Sequence, residues 1–302
     1  MTLPNFLIIG ASKSGTTTLH NVFLNHPEIY ICPTKEVGFF WAYQENIQIQ
    51  GPGAERLKNV LITDLNQYQQ LFDKVSTEKA IGEASVRYIS HPNVPERIHS
   101  IIPHVKLIAS LRQPADRAFS AFTMNRRDGL EPCSDFQEAL EQERSGMRDH
   151  WISCRYLNRG FYYASLKQFF ELFDRQKFHI SLMEDLIDNP MGLLISLFRF
   201  LEVDESFASN LSHRHNPSGI IRNPLKRFMW TNSNRLRAAV RPILEPRFRH
   251  LATEWFMHDL EKPQFPLQLR VELTEYYRKD IEQLQDLLQR DLSHWLEGNA
   301  TR

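Results

Sequence analysis

Residues Asn5 to Leu19 read N-F-L-I-I-G-A-S-K-S-G-T-T-T-L. The apolar run Phe6–Ile9 breaks at Gly10 into a short loop of glycine, serine and lysine. Three threonines then lead into an amphipathic run carrying Leu19, Val22 and Phe23. The order is strand, loop, helix, and it commits the chain to an α/β beginning. A helix N-terminus offers unpaired N–H groups and the positive end of a dipole, so this loop suits an anion. Lys13 adds a full charge. Ser14, Thr16, Thr17 and Thr18 add hydroxyl donors, and Gly15 lets the backbone approach closely.

The spacing narrows the chemistry. A loop for ATP or GTP needs G-x-x-x-x-G-K-[ST], with lysine directly after the second glycine. Gly10 and Gly15 keep that separation, but residue 16 is threonine and the lysine stands earlier, at Lys13. The loop is therefore a phosphate loop of another kind. Taken alone, it also fits an ordinary βα turn that holds a lysine.

The chain has 302 residues, 42% of them hydrophobic, which suffices for one large core or two small ones. Lys+Arg and Asp+Glu both number 36, and the balance argues against broad binding to nucleic acid or an anionic membrane. Cys32, Cys133 and Cys154 form neither a metal motif nor a disulfide framework, which fits a reducing compartment. The N-terminus enters the first strand without a basic leader, and no apolar stretch approaches the ~20 residues of a membrane span. The expectation is a soluble, cytoplasmic protein.

Strands are expected at Phe6–Ile9, Ile29–Ile31, Ala80–Gly82, Lys106–Leu111 and Phe178–Met183. Helices are expected at Thr17–Asn25, Leu65–Phe72, Val94–Ile102, Pro114–Arg126, Phe136–Arg144, Tyr162–Phe173 and Pro190–Leu201. This alternation predicts right-handed βαβ units. The fold class is α/β, a P-loop-like three-layer fold whose central parallel sheet of about five strands is flanked by helices. The segment Trp41–Asn59 is polar and aperiodic, and reads as a mobile excursion. Beyond about Asn210 the pattern becomes loop and helix only. A final helical run, Leu269–Leu296, has apolar residues at helical spacing and packs back on the domain as a C-terminal extension. Residues 1–302 read as a single domain, with a nucleotide-binding core over 1–209 and a capping loop and C-terminal helices over 210–302.

In an open parallel sheet, ligands bind where loops leave the carboxyl ends of the strands. The crevice is then lined by Gly10–Thr18, Pro33–Phe40, Glu83–Tyr88, Arg112–Ser120 and Glu184–Leu186. Arg112 ends a strand, and Ser120 lies two turns along the helix that Pro114 starts, so the two suit a second phosphate. A salt-bridged arginine and a helix-surface serine are the plainer alternative. Glu36, beside Lys35, is a candidate general base, or half of a solvated charge pair. His26 sits in a helix-ending turn and reads as structural. His20 lies on the first helix, and His213 and His215 fall in a late loop. No cluster has metal-ligand spacing, and no G-x-S-x-G elbow is present.

These pieces resemble the sulfotransferases that use 3′-phosphoadenosine 5′-phosphosulfate (PAPS). Ile8–Thr17 resembles the family's 5′-phosphosulfate loop. Lys35–Phe40 resembles the segment that supplies the catalytic glutamate in the heparan sulfate branch. Val94–Ile98, Lys106–Pro114, Arg117 and Ser120 resemble the 3′-phosphate strand and helix. Gly160–Tyr162, Glu184–Leu186 and Asn189-Pro190 match later scaffold landmarks. The resemblance implies that Lys13, with Ser14, Gly15, Thr16, Thr17 and Thr18, holds the 5′-phosphosulfate. It gives the 3′-phosphate to Arg112 and Ser120 and the role of base to Glu36. It places Arg222 in a loop closing over the nucleotide, and it asks for no metal.

Two departures from the heparan branch bear on the acceptor. Gly38 stands where relatives carry a histidine, and Ala84 where they carry a lysine. Both point away from a heparan-type acceptor and toward a hydroxyl or amine on a small molecule, lipid or glycan. Glu83 is a second candidate acid–base group, or a structural partner of Arg87 or Arg112. The rival functions are a P-loop kinase, which would carry a Mg²⁺-holding carboxylate where Arg112 stands, and an inactive homologue that only binds the nucleotide.

Overall fold

The computed structural model describes residues 2–45, 48–210, 220–221, 260–261 and 263–297. Five strands form one parallel sheet: β1 (Phe6–Gly10), β2 (Ile29–Ile31), β3 (Ala80–Ala84), β4 (Lys106–Leu111) and β5 (Phe178–Leu182). Their order is β2-β3-β1-β4-β5, so β1 is central. The helices are α1 (Thr16–Phe23), α2 (Phe39–Ala42), α3 (Ala54–Lys58), α4 (Leu65–Gln70), α5 (Val94–Ile101), α6 (Pro114–Arg127), α7 (Phe136–Arg144), α8 (Tyr162–Leu172), α9 (Met183–Asp188), α10 (Pro190–Leu201) and α11 (Leu267–Leu288).

The strands read as unbroken apolar runs because both faces of the sheet are covered. Phe6, Leu7, Ile8 and Ile9 are each 0% exposed. The pleat sends Phe6 and Ile8 to one face, against Leu19 and Phe23 of α1 and Leu197 and Phe198 of α10. It sends Leu7 and Ile9 to the other, into a larger core with Ile98 of α5, Ala118 of α6 and Leu166 of α8. Helix starts follow local chemistry. Asp135 accepts from Glu138 N, and Asn189 accepts from Gly192 N ahead of Pro190.

Three differences from the sequence reading have physical causes. β3 runs on to Ala84, so Glu83 lies inside a strand and not in the loop after it. Pairing of Leu7 with Glu83 and Ile8 with Ala84 extends the ladder. The segment read as a mobile excursion holds α2, α3 and a bridge between Gln50 and Trp151. Its α2 is anchored by Phe39 stacked on Tyr68, with ring centroids 4.1 Å apart. Beyond residue 210 a short antiparallel pair, β6 (Ile220–Ile221) with β7 (Leu260–Glu261), interrupts the expected run of loop and helix. Two-residue strands are too short to show a period.

The long helix α11 packs on α6 and α8. Leu273, Tyr277, Ile281 and Leu284 are buried. Arg270 forks onto Asp116 with bonds of 2.9 and 3.0 Å, and Gln113 Nε2 donates to Thr274 Oγ1 at 2.9 Å.

Candidate functional site

The phosphate loop leaves the carboxyl end of β1 and is pinned to β4. Ala11 N donates to Ser110 O at 2.7 Å, and Ser110 Oγ donates to Ser14 O at 2.6 Å. The turn places Lys13 (φ 67°) and Gly15 (φ 84°) in the left-handed region. The φ of Gly15 favours glycine, and a Cβ there would also come within 2.4 Å of Leu186 Cδ2 and push that side chain aside. No side chain caps α1, which leaves the N–H groups of Thr16 and Thr17 available to a ligand.

Two features of the loop fit an oxyanion. Ser14 is 0% exposed, and its hydroxyl has no protein partner. A buried polar group costs free energy unless something pairs with it. Lys13 is the second. Burial lowers its pKa to about 8, with repulsion from Arg127 and Arg112 adding and Asp128 opposing. Arg112 leans over the same loop, its Nη1 donating to Lys13 O at 3.4 Å. Thr16 is buried, Thr18 N donates to Gly15 O, and Thr17 Oγ1 accepts from Lys35 Nζ at 3.1 Å. Ser120 is half-buried on α6.

Glu36 sits in the turn after β2, also left-handed at φ 62°. Its N–H donates to Ala84 O at 2.9 Å, and its Oε1 accepts from Val86 N at 3.4 Å. The carboxylate is half-buried, at the mouth of the crevice. Beneath it runs a short chain of hydrogen bonds. Gly38 N donates to Ser85 Oγ at 3.1 Å, and Ser85 Oγ donates to Glu83 Oε2 at 2.9 Å. Glu83 is 0% exposed, and burial pushes its pKa up to about 7. The expected arginine partner of Glu83 is thus replaced by Ser85. The carboxylate supports the Glu36–Gly38 turn from below.

The structure adds Arg159 to the crevice, beside Arg87. Arg87 Nη1 donates to Ile152 O at 2.9 Å, and Arg159 Nη2 donates to the same oxygen. Burial lowers both pKa values, that of Arg159 to about 9, with Arg87 and Arg117 adding and Glu143 and Glu36 opposing. Arg87 was legible as a crevice position by its place after β3. Arg159 precedes α8, far from any strand end, and no sequence signal marks it.

Other expected residues are scaffold. His20 Nε2 bonds Cys32 O at 2.9 Å, and His26 bonds Asp204 O at 3.0 Å. Glu184 accepts from Trp295 Nε1, and Asp185 pairs with Arg290. Arg222, His213 and His215 lie outside the described residues. Among the described residues no cluster of His, Cys, Asp and Glu could hold a metal ion. Among them, too, no helix is long and apolar enough to cross a membrane.

A family model described as "Sulfotransferase domain" matches residues 3–287. The crystal structure of a sulfotransferase from Alicyclobacillus acidocaldarius is similar at a TM-score of 0.75 and 30% identity, over 98% of this chain and 100% of that one. A membrane-associated sulfotransferase of Dictyostelium discoideum is 36% identical over 120 residues, 40% of this chain and 22% of that protein. A bifunctional heparan sulfate N-deacetylase/N-sulfotransferase of Drosophila melanogaster is 28% identical over 225 residues, 67% of this chain and 20% of that protein. The chain spans about a fifth of the length of these two curated relatives.

Proposed function

The chain belongs to the sulfotransferase domain family, and we propose that it moves a sulfuryl group from PAPS to a hydroxyl or amine of a small-molecule, lipid or glycan acceptor. The observation that carries this reading is the anion-ready loop, where the orphaned Ser14 hydroxyl, Lys13 and the uncapped start of α1 converge. In this reading Lys13, Ser14, Gly15, Thr16, Thr17 and Thr18 hold the 5′-phosphosulfate. Arg112 and Ser120 hold the 3′-phosphate, with Arg222 a further contact. A charge balance of 36 against 36 keeps nucleic acid out of the proposed partners, and the free, buried Cys32, Cys133 and Cys154 go with a cytoplasmic setting.

Chemistry then follows from charge. The acceptor O–H or N–H gives its proton to Glu36 as the acceptor atom bonds to sulfur. The sulfur–oxygen bond to the 5′-phosphate breaks on the opposite side, and its electron pair leaves with the phosphate. Lys13 and the loop N–H groups stabilise that developing charge, and the rest of the rate comes from holding donor and acceptor in line. The reading asks for no metal. Glu36 fits the role of base better than Glu83, because Glu83 is fully buried beneath the turn and cannot meet an acceptor.

The test is Glu36→Gln, assayed with labelled PAPS across an acceptor panel on which the wild type turns over. Transfer should fall to background, while affinity for the product nucleotide, adenosine 3′,5′-bisphosphate (PAP), stays within about threefold because Glu36 touches acceptor and not donor. Full transfer by this variant would remove Glu36 from the role of base.

A further inference from the structure

We infer that Arg87 and Arg159 form an oxyanion-binding site for the acceptor, so that the acceptor carries a carboxylate, or a phosphate or sulfate ester, close to the group that is sulfated. This rests on the reading of Glu36 as the base, and it goes beyond it by naming the chemical class of the substrate.

The two guanidinium groups converge on one oxygen, Ile152 O. A guanidinium carries five N–H donors, and a single carbonyl neutralises no charge. Among the described residues neither arginine forms an ion pair with a carboxylate. Arg87 Nε is buried and has no hydrogen-bond partner. Arg117 adds a third cation, and this one is fully buried. It is 0% exposed, donates to Tyr156 O, and leaves Nε and Nη1 without partners.

The opposing charge is thin. Glu36 and Glu143 are the carboxylates that act on Arg159, and Glu36 is the one that acts on Arg87. Glu143 is already committed, accepting from the backbone N–H groups of Tyr156, Leu157 and Asn158. Among the described residues, Arg87 and Arg159 therefore face one uncommitted carboxylate, Glu36, and Glu36 becomes neutral when it takes the acceptor's proton. Buried charges in proteins are normally paired, and here the missing partner is an anion. Arginine forks match carboxylate, phosphate and sulfate oxygens in pairs of bonds.

Location assigns that anion to the acceptor rather than the donor. The cations that act on Lys13 in the phosphate loop are Arg127 and Arg112. Glu36 Oε1 instead accepts from Val86 N, the residue before Arg87, and Arg159 shares Ile152 O with Arg87. Arg117 also acts on Arg112, so it stands between the two clusters. Arg87 and Arg159 stand on the Glu36 side.

The experiment fills the donor site first. Wild-type protein saturated with PAP is titrated calorimetrically with glucuronate, with inorganic phosphate, and with glucose as the neutral control. The two anions separate a carboxylate preference from a phosphate or sulfate one. At least one anion should bind saturably, and glucose should not. Arg87→Gln and Arg159→Gln should each weaken that binding by about tenfold or more, as for a lost charge-assisted hydrogen bond. Arg87→Lys and Arg159→Lys, which keep the charge and lose the fork, should fall between. PAP affinity, measured on the same samples, should stay within about threefold and also reports that each variant is folded.

Equal binding of glucose and both anions, or unchanged anion binding in the glutamine variants, overturns the inference. So does a loss of PAP affinity as large as the loss of anion affinity, since the arginines would then serve the donor. A wild type that fails to bind PAP would instead defeat the proposed donor. The anion titrations on the same four variants would still decide the question of Arg87 and Arg159.

Discussion

The phosphate loop and the Glu36 turn are built alike and stabilised differently. Each leaves a strand of the same sheet, and each holds its key residue in the left-handed region, Lys13 at φ 67° and Glu36 at φ 62°. The loop is tied to β4 through Ser110 and keeps an orphaned hydroxyl and an unpaired helix start for its ligand. The Glu36 turn rests on the Gly38–Ser85–Glu83 chain and faces two arginines from distant segments. The proposed donor side is thus carried by one continuous stretch, Gly10–Thr18, plus Arg112. The proposed acceptor side is assembled from three places in the chain, Glu36–Gly38, Glu83–Arg87 and Arg159. Rigid contiguous loops suit a fixed nucleotide, and assembled surfaces suit an acceptor that varies between relatives.

Substitutions on each side should separate the two. Lys13→Ala removes the cation at the leaving phosphate, and steady-state turnover of labelled PAPS should fall by about 10²-fold or more, as for a lost oxyanion donor. Turnover within a few-fold of wild type would detach the loop from catalysis. Ser85→Ala acts on the other side. It strips Gly38 N and Glu83 Oε2 of their shared partner, and urea unfolding should show a loss of about 1–3 kcal/mol. The same variant should lose kcat several-fold with PAP affinity intact. Equal losses in kcat and PAP affinity would show that the two sides are not separate.

The smallest effects are in pH. Burial holds Lys13 at about 8, below its ordinary 10.5, so PAP binding should weaken as pH rises through and above about 8. A bound dianion favours the ammonium and moves that midpoint upward. For stability the sign is reversed. Between about 8 and 10.5 the unfolded chain holds a proton that the folded one has lost, so this group's contribution rises with pH. Glu83 works in a lower window. Its pKa rises from 4.5 to about 7, so the folded chain keeps a proton the unfolded one has released. Its contribution is present below 4.5 and is lost as pH climbs through about 7. Urea midpoints measured across these windows for wild type, Lys13→Met and Glu83→Gln should isolate each component.

Much of the scaffold was legible because local signals agree with tertiary packing. β2, β4, α7 and α10 fall where the apolar runs and helical spacing place them, and Asp135 and Asn189 cap the two helices in the structure. α2 and α3 were not anticipated, since four and five residues show too little period to read, and the start of α9 was read as the crevice-lining residues after β5. Lys13, Ser14, Gly15 and Arg112 were legible as crevice positions because they follow β1 and β4 directly in the chain. Arg87 and Arg159 were not legible as a pair. They meet only through Ile152 O, and no spacing rule links their positions. Glu83 was visible as a carboxylate near the site. Its burial and its bond to Ser85 exist only in three dimensions.

The assignment of the donor pocket is tested most directly by a ligand-and-residue cycle. PAP and AMP, which lacks the 3′-phosphate, are titrated calorimetrically against wild type and Arg112→Ala, with Mg²⁺-ATP as the competitor. Deleting the 3′-phosphate from the ligand and deleting Arg112 from the protein should each weaken binding by about 10- to 100-fold. Making both changes together should cost little more than either alone, the mark of two groups that touch. Equal affinity of the wild type for PAP and AMP, or a preference for Mg²⁺-ATP, would contradict it.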